Sequence, residues 1–301
     1  MNPIIPSINY HLTKSCNMKC KFCFVTFNDL AVVKHNLENS KKIISEIAKN
    51  GFLKITFAGG EPTLIKELAE IVKYAKELGL ITTIVTNGAK LSQKPLLKEL
   101  APYLDWVALS IDSVNDELNI KSGRAINAGN TAITESFFIE LIDELKQLNI
   151  RVKINTVVSK YNWNEDMNAF ITSVKPDRWK ILQALKVEGQ NDEFQEDFEI
   201  TNTQFKRYLR RNESALLSLN NAIEEVELIK GSYLMISPEG TLFDNTGESY
   251  KYSDSIVEIG LNKALKQIDF DKAKFIRRGG YYNFQNRKKQ KRMLLFNSES
   301  S

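Results

Sequence analysis

The sequence predicts an α/β fold in which six strand–helix units form a parallel sheet, followed by a C-terminal extension of different character. From residue 7 to about residue 185, short β-branched or apolar runs alternate with amphipathic stretches of helical period. Beyond residue 186 this alternation stops. A length of 301 residues and a hydrophobic content of 43% suit one such domain with an extension.

Each predicted strand is a short run rich in β-branched and aromatic residues, bounded by polar or turn-forming residues. The predicted strands are Ser7–Thr13, Leu53–Phe57, Ile81–Thr86, Trp106–Asp112, Arg151–Val158 and Arg178–Leu185. Helices are expected between them. Two of the helical stretches, in residues 40–51 and 67–79, end at Gly51 and Gly79, because a left-handed C-terminal cap favours glycine.

The extension begins with a polar, acidic loop over Glu188–Glu199, and a helix is expected after it, with Thr201 and Gln204 as a capping box. The turn residues Pro238-Glu239-Gly240 predict a hairpin, and residues 255–268 predict an amphipathic helix. The predicted domains are a core over residues 1–185, an extension over residues 186–286 that closes the active site, and a basic, disordered tail over residues 287–301.

Three cysteines, Cys16, Cys20 and Cys23, lie in the stretch CNMKCKFC, and the sequence has no others. This clustering indicates a shared ligand. Three thiolates can hold three irons of a [4Fe-4S] cluster and leave the fourth iron open to a substrate. A zinc site is the first alternative, but His11 and His35 lack the spacing of zinc modules. Disulfides would leave one cysteine over and would need an oxidising compartment.

Net charge and hydropathy narrow the class of protein. A net charge of +4 is too small to indicate nucleic-acid binding by itself. No apolar run approaches the length that spans a membrane, and the N-terminus carries no export signal, so we expect a cytoplasmic protein without a membrane partner. The basic tail NRKKQKR keeps a nucleic-acid-binding protein as an alternative, although a solvated chain end is the more common reason for such a tail.

Polar residues alternate with apolar ones along the predicted strands, and side chains on a strand alternate between its two faces. The residues expected to face inward are Asn9, Lys54, Thr56, Ser110, Asp112, Lys153, Asn155, Arg178 and Lys180. Because buried cations are costly without a polar partner, an anion with two or three phosphates would match the lysines and the arginine. Alternatively, these strands lie at a rim and the basic groups are solvated.

Two short turns follow predicted strands. In Phe57–Pro62, Gly59 and Gly60 stand where the backbone can approach a ligand closely. Glu61 could accept a hydrogen bond from a ligand amine or cap the helix that it precedes. The second turn, Thr86-Asn87-Gly88, could be an ordinary Asn-Gly turn.

CNMKCKFC resembles the CxxxCxxC motif of the radical S-adenosylmethionine (SAM) enzymes, and AGGEP resembles their GGEP motif. The resemblance implies a partial (β/α)6 TIM-like barrel of the radical SAM type, which holds a [4Fe-4S] cluster and SAM and yields a 5′-deoxyadenosyl radical. NYHLTKSCNMKCKFCF, KITFAGGEP, VTNG, LSIDS, KINTVV, RWKILQ, SYLM and RRGG resemble, in order, the viperin family. Viperins are antiviral enzymes that convert a nucleoside triphosphate, CTP in animals, to its 3′-deoxy-3′,4′-didehydro form.

The viperin resemblance implies roles for individual residues. Those implied for the cluster are Cys16, Cys20 and Cys23. Those implied for SAM are Gly59, Gly60, Glu61, Thr86, Ser110, Arg124 and Asn155, with Arg124 on the SAM carboxylate. Those implied for the triphosphate are Lys54, Lys153, Arg178, Lys180 and Arg278, with Asn9 and Thr56 near the nucleotide. Tyr233 is implied as a catalytic residue over the reacting ribose, or it is a core tyrosine on a hairpin.

The sequence also departs from the family. Animal viperins carry an amphipathic N-terminal helix and a C-terminal tryptophan, and this sequence shows neither, which indicates a prokaryotic relative. GRA replaces GRG and Thr56 replaces an asparagine. The loop after Val187, which the resemblance implies is near the base, is not close enough to the family pattern to tell CTP from UTP or GTP. The expected electron donor is a flavodoxin or ferredoxin. A radical SAM enzyme with another substrate is the remaining alternative, but such enzymes commonly bind further clusters, and no cysteine follows Cys23.

Overall fold

The computed structural model describes residues 6–31, 35–92 and 94–284. The strands of these residues are β1 (Ser7–His11), β2 (Lys54–Ala58), β3 (Ile81–Thr86), β4 (Trp106–Ser110), β5 (Ala125–Ile126), β6 (Thr131–Ala132), β7 (Arg151–Val158), β8 (Arg178–Gln183), β9 (Asn221–Glu224), β10 (Met235–Ile236), β11 (Thr241–Asp244) and β12 (Lys251–Ser255). Strands β5 and β6 form a separate hairpin, and the others form one sheet in the order β12-β11-β10-β1-β2-β3-β4-β7-β8-β9.

The six predicted strands are the central strands of this sheet. Strands β1, β2, β3, β4, β7 and β8 lie side by side, and each pairs with the next in parallel. This confirms the α/β prediction and matches the parallel sheet of a partial TIM-like barrel. The first, fourth and sixth strands end two residues earlier than predicted, at His11, Ser110 and Gln183.

Strands from the C-terminal extension lengthen the same sheet at both edges. Strand β9 pairs in parallel with β8, and β10 pairs in parallel with β1. The predicted hairpin is confirmed, because β10 and β11 are antiparallel and their turn contains Gly240, whose φ is 80°. The extension therefore shares hydrogen bonds with both ends of the core sheet.

The helices of the described residues cover the outer face of the sheet or lie in the extension. They are α1 (Leu37–Lys49), α2 (Leu68–Glu77), α3 (Lys94–Leu100), α4 (Asp116–Lys121), α5 (Glu135–Gln147), α6 (Asn168–Val174), α7 (Gln195–Phe198), α8 (Asn202–Arg211), α9 (Glu213–Ser218), α10 (Val226–Ile229), α11 (Ile256–Ile259), α12 (Leu261–Ala264) and α13 (Lys272–Arg277). None of these is both long and apolar enough to cross a bilayer.

The structure confirms three predicted helix signals. Gly51 and Gly79 follow α1 and α2 with left-handed φ angles of 78° and 85°. At the start of α8, the Thr201 side chain accepts from the backbone N–H of Gln204, and the Gln204 side chain accepts from the backbone N–H of Thr201. This is the predicted capping box.

Two predictions in the extension are wrong in detail. The helix expected over residues 255–268 is interrupted between α11 and α12, because Gly260 has a φ of 80° that an α-helix cannot contain. The acidic loop Glu188–Glu199 contains a 3-10 turn over Asp192–Phe194 and the short helix α7. The tail predicted over residues 287–301 lies outside the described residues.

The apolar faces of the strands and helices form the main core. Ile55 and Phe57 of β2 are fully buried, and so are Ile44 and Ile47 of α1. Burial of one such side chain contributes about 1.5–3 kcal/mol. Because strand side chains alternate, packing Ile55 and Phe57 outward turns Lys54 and Thr56 toward the inner face of the sheet.

Candidate active site

One cavity along the inner face of the sheet is lined by every residue that the sequence assigns to the site. These residues are Asn9, Cys16, Cys20, Cys23, Lys54, Thr56, Gly59, Gly60, Glu61, Thr86, Ser110, Arg124, Lys153, Asn155, Arg178, Lys180, Tyr233 and Arg278. Their sequence positions are far apart, so the fold and not local sequence gathers them. Val157, which the sequence analysis did not assign to the site, also lines this cavity.

The two ends of the cavity differ chemically. Lys54 and Arg178 are the first residues of β2 and β8, whereas Thr86 and Ser110 are the last residues of β3 and β4. The cysteine-containing loop follows the carboxyl end of β1. Because the parallel strands run in one direction, most of the cations lie toward their amino ends, and the cysteines and the GGEP turn lie beyond their carboxyl ends.

The three cysteine thiols are free and face the same cavity. Burial raises the pKa of Cys20 to about 12, and burial also raises the pKa of Cys16 and Cys23. Metal binding would replace these thiol protons. Within the described residues, no three His, Cys, Asp or Glu side chains are grouped to hold a single metal ion.

Backbone contacts hold the cysteine loop against the segment that precedes Arg124. The N–H of Lys19 donates to the Gly123 carbonyl oxygen at 3.1 Å, and the N–H of Lys21 donates to the Ser122 carbonyl oxygen at 2.9 Å. A Cβ atom on Gly123 would lie 2.0 Å from the carbonyl oxygen of Lys19. Only glycine permits this approach.

The glycines of the GGEP turn serve a related purpose. Gly60 N–H donates to the Thr13 carbonyl oxygen at 2.6 Å, and a Cβ atom on Gly60 would lie 2.3 Å from the Ser15 carbonyl oxygen. From the sequence, Gly59 and Gly60 are expected where the backbone can approach a ligand closely. The structure instead pairs the N–H of Gly60 with the chain that leads into the cysteine loop.

Glu61 is 1% exposed, and its carboxylate accepts four hydrogen bonds. Thr63 donates its N–H and hydroxyl, Thr86 donates its hydroxyl, and Asn87 donates its N–H, over 2.6–3.0 Å. Burial raises the pKa of Glu61, and these bonds oppose the rise. The capping alternative for Glu61 is therefore present in the structure, and the side chain also ties the GGEP turn to the turn after β3.

Arg124 lies beside the cysteines and forms an ion pair with buried Asp112. Its guanidinium also lies over the Phe22 ring, 5.4 Å from the ring centroid. Burial alone would lower the pKa of Arg124, but the charge of Asp112 raises it overall. Asp112 in turn accepts from the Val157 N–H at 2.7 Å, so this carboxylate orients Arg124 from the wall of the barrel.

The predicted cations Lys54, Lys153, Arg178 and Arg278 are buried and Lys180 is half-buried, which excludes the alternative of solvated groups at a rim. Lys54 is 4% exposed, Lys153 9% and Arg178 4%. Burial, with smaller contributions from neighbouring cations, lowers the pKa of Lys54 and of Lys153 to about 7 and that of Lys180 to about 8. An anion bound among them would favour the protonated forms.

The chain after α13 lines the amino-terminal end of the cavity. Tyr282 accepts a hydrogen bond from the Lys54 ammonium at 3.0 Å, and the Arg178 guanidinium lies 4.0 Å from the centroid of the Tyr282 ring. Arg178 also donates to the Gly279 carbonyl oxygen at 2.8 Å. Sequence reasoning missed Tyr282, although the aromatic pair directly after the RRGG motif was an available signal.

Tyr233 ends in a charged network. Its hydroxyl accepts from Lys180 and donates to Glu224, and the Arg278 guanidinium lies 3.7 Å from its ring centroid. The ring also packs near apolar Leu185. The alternative of a core tyrosine therefore holds only for the side of the Tyr233 ring that packs near Leu185. Sequence reasoning missed Glu224, which lines the cavity.

Comparison with known proteins places this geometry in a family. A model described as the radical SAM superfamily matches residues 10–174. A protein of Lacinutrix mariniflava named S-adenosylmethionine-dependent nucleotide dehydratase is 45% identical over 291 residues, covering 95% of this chain and 60% of that protein. A protein of Flammeovirga pacifica with the same name is 40% identical, covering 94% of this chain and 98% of that protein. A protein of Danio rerio named S-adenosylmethionine-dependent nucleotide dehydratase RSAD2 is 32% identical, covering 92% of this chain and 77% of that protein.

Solved structures agree on the fold. Streptococcus suis SuiB bound to S-adenosylmethionine has a TM-score of 0.68 at 19% identity, covering 90% of this chain and 67% of that one. The protein anSMEcpe with bound AdoMet has a TM-score of 0.66 at 14% identity, covering 87% of this chain and 80% of that one. At these identities the likeness concerns the barrel alone.

Proposed function

The chain belongs to the radical SAM superfamily and, within it, to the S-adenosylmethionine-dependent nucleotide dehydratases, or viperins, and we propose that it dehydrates a ribonucleoside triphosphate to the 3′-deoxy-3′,4′-didehydro analogue. We expect CTP as the first substrate, with UTP and GTP as alternatives. The observation that carries the proposal is the set of buried cations at the end of the cavity away from the cysteines. The product would be an antiviral chain terminator.

Charge supports a triphosphate as the ligand of those cations. A nucleoside triphosphate carries about four negative charges at neutral pH, since only its terminal phosphate has a pKa near 6. Within the described residues, Lys54, Lys153 and Arg178 form no ion pair, whereas Lys180 and Arg278 share the carboxylate of Glu224. A polyanion would supply the missing counter-charge and use the donors that these side chains still offer.

The cofactors of this superfamily are a [4Fe-4S] cluster and SAM, which together supply a 5′-deoxyadenosyl radical. The thiols of Cys16, Cys20 and Cys23 would bind the cluster, because they are free, face one cavity and number one fewer than the irons. The residues proposed to hold SAM are Gly59, Gly60, Glu61, Thr86, Ser110, Arg124 and Asn155. Arg124 would bind the SAM carboxylate, with Asp112 fixing its orientation.

The chain's own residues would place the ribose between the two ends of the cavity. With the phosphates on the cations and Asn9 and Thr56 beside the nucleotide, the C4′ hydrogen would face the cysteine end. Removal of that hydrogen atom, loss of the 3′-hydroxyl as water with one proton, and uptake of one electron balance to the loss of one water. Tyr233 would lie over the ribose, its hydroxyl held on Glu224.

The electron would come from a flavodoxin or ferredoxin, and we propose the cytoplasm as the compartment, because free thiols and a reduced cluster need reducing conditions. The names of the relatives favour a nucleotide as the substrate, and SuiB, at 19% identity, shares the fold alone.

The test uses anaerobically reconstituted protein with SAM, dithionite and each of the four ribonucleoside triphosphates. We expect one or more triphosphates to stimulate 5′-deoxyadenosine formation and to yield a nucleotide that is lighter by one water in mass spectrometry. If no triphosphate raises 5′-deoxyadenosine above the rate without nucleotide, the proposal is wrong. A mixture of all four triphosphates would reveal the preferred base.

A further inference from the structure

Glu224 is a buried acid in a cavity wall that is otherwise cationic. It is the last residue of β9, at the sheet edge next to β8, and it is 1% exposed. Glu61 is the other carboxylate among the described residues that line the cavity, and it belongs to the cysteine end. A buried carboxylate is stable only when it is paired. Its partners therefore indicate what it is for.

The partners of Glu224 are three residues that the proposed function assigns to the nucleotide. Its Oε1 accepts from the Lys180 ammonium at 3.0 Å and from Nη1 of Arg278 at 3.3 Å, and its Oε2 accepts from the Tyr233 hydroxyl. Lys180 also donates to the Tyr233 hydroxyl. One carboxylate thus connects side chains from β8, from the segment before β10 and from the end of α13.

These bonds leave donors free for a ligand. Arg278 uses Nε and Nη2 on the Ser232 carbonyl oxygen, at 3.2 and 3.0 Å, and one Nη1 hydrogen on Glu224. A guanidinium has five N–H groups, so two remain. The ammonium of Lys180 has three, of which one remains after Glu224 and Tyr233. The carboxylate therefore fixes both cations without exhausting them.

We propose that Glu224 is a positioning residue of the phosphate site, which holds Lys180 and Arg278 side by side, with Lys180 protonated, before the nucleotide binds. This inference rests on the proposed function. Besides Lys180 and Arg278, the charged or titratable groups that face Glu224 are Arg178 and Tyr233.

A comparison among the lysines supports this role. Lys54 and Lys153 have no carboxylate partner within the described part of the chain, and burial lowers the pKa of each to about 7. Burial lowers the pKa of Lys180 only to about 8, because the charge of Glu224 opposes the effect. Removing that charge should therefore make Lys180 lose its proton at a lower pH.

The test compares Glu224→Gln with wild-type holoenzyme, using coupled formation of 5′-deoxyadenosine with CTP. This substitution keeps the size of the side chain and an acceptor oxygen but removes the charge. We expect the ratio of the variant KM to the wild-type KM to rise on the order of tenfold between pH 6.5 and 8.5, since one pKa unit is a tenfold change. The ratio of kcat values should not follow pH. The matched control is Glu227→Gln, because Glu227 is exposed and the charge change is the same.

A second variant separates charge from shape. Glu224→Asp keeps the charge but shortens the reach to Arg278, so its KM should rise by a factor that does not depend on pH. Calorimetry of CTP binding in two buffers of different ionisation enthalpy should show that Glu224→Gln takes up more protons at pH 8 than the wild type does.

The outcomes are distinct. A KM ratio for Glu224→Gln that is constant with pH, together with unchanged proton uptake, overturns the inference and leaves Glu224 a packing residue. If Glu224→Gln does not fold, Glu224→Asp takes its place in the test. A KM ratio for Glu224→Asp that changes with pH then overturns the inference. Wild-type protein that neither binds nor responds to any triphosphate refutes the proposed function itself, and that result comes from the wild type alone.

Discussion

Replacing Gly123 with alanine tests whether backbone contacts hold the cysteine loop in place. Gly123 has a φ of 78°, and an added Cβ would lie 2.0 Å from the Lys19 carbonyl oxygen and 3.3 Å from Cys20 Cα. Non-bonded carbon and oxygen atoms do not approach so closely, so one backbone segment must move by about 1 Å or more. The displaced segment would carry Cys20 with it.

The structure gives the size of the effect. The shift would break the hydrogen bonds from Lys19 N–H to Gly123 and from Lys21 N–H to Ser122, of 3.1 and 2.9 Å. Each contributes about 0.5–1.5 kcal/mol. A left-handed backbone at a residue with a Cβ costs a further amount of about 1–2 kcal/mol. Together the local loss is about 2–5 kcal/mol, which is enough to release a loop.

Gly79→Ala is the matched control. Gly79 has a φ of 85°, and a Cβ added there has no atom within 4 Å. This variant therefore includes the backbone strain without the collision. The assay is iron and sulfide content per chain after anaerobic reconstitution, together with the visible absorbance of the cluster and the midpoint of thermal unfolding.

We expect Gly79→Ala to bind iron as the wild type does and Gly123→Ala to lose most of it. Equal iron and sulfide in the two variants, with equal unfolding midpoints, would refute the reasoning, because strain would then be the whole effect. Loss of iron in both variants would refute it too.

Three further predictions concern the nucleotide end. Nucleotide binding should weaken as pH rises from about 7 to 9, because Lys54 and Lys153, with pKa values of about 7, and Lys180, at about 8, lose the protons that the triphosphate needs; a dissociation constant that is flat over this range contradicts it. Lys180→Ala should raise the nucleotide KM by a factor corresponding to about 1.5–3 kcal/mol, whereas exposed Lys42→Ala should not. Tyr233→Phe should lower the coupled yield of dehydrated nucleotide per 5′-deoxyadenosine, and full coupling in this variant would remove the hydroxyl from the mechanism.

The sequence predicted the fold and the site residues to the extent that these follow from local periodicity or from compact motifs. Alternation by two put Lys54, Lys153 and Arg178 on the inner face, and the structure buries all three there. The break at Gly260 was not apparent, because apolar residues on both sides of it continue the helical period.

Glu224 could not be found in this way for a physical reason. It lies in the stretch NAIEEVE, whose three glutamates cannot be told apart from the sequence. Only the tertiary fold brings one of them to Lys180, Tyr233 and Arg278. The sequence names Gly60 but not the full reason for a glycine there, which is the close approach of the backbone of Lys14 and Ser15.

The two ends of the cavity are stabilised differently, and this difference decides how each responds to its ligand. The cysteine loop is held by backbone hydrogen bonds to residues 122–123 and to the GGEP turn. Lys54 and Lys153, by contrast, are buried without a counter-ion among the described residues, so they lose protons near neutral pH instead of holding full charge. Only a bound polyanion restores that charge, and restoring it is favourable because the desolvation has already occurred on folding. Nucleotide binding should therefore take up protons and stabilise the amino-terminal end of the barrel, while the geometry around the three cysteines stays as it is.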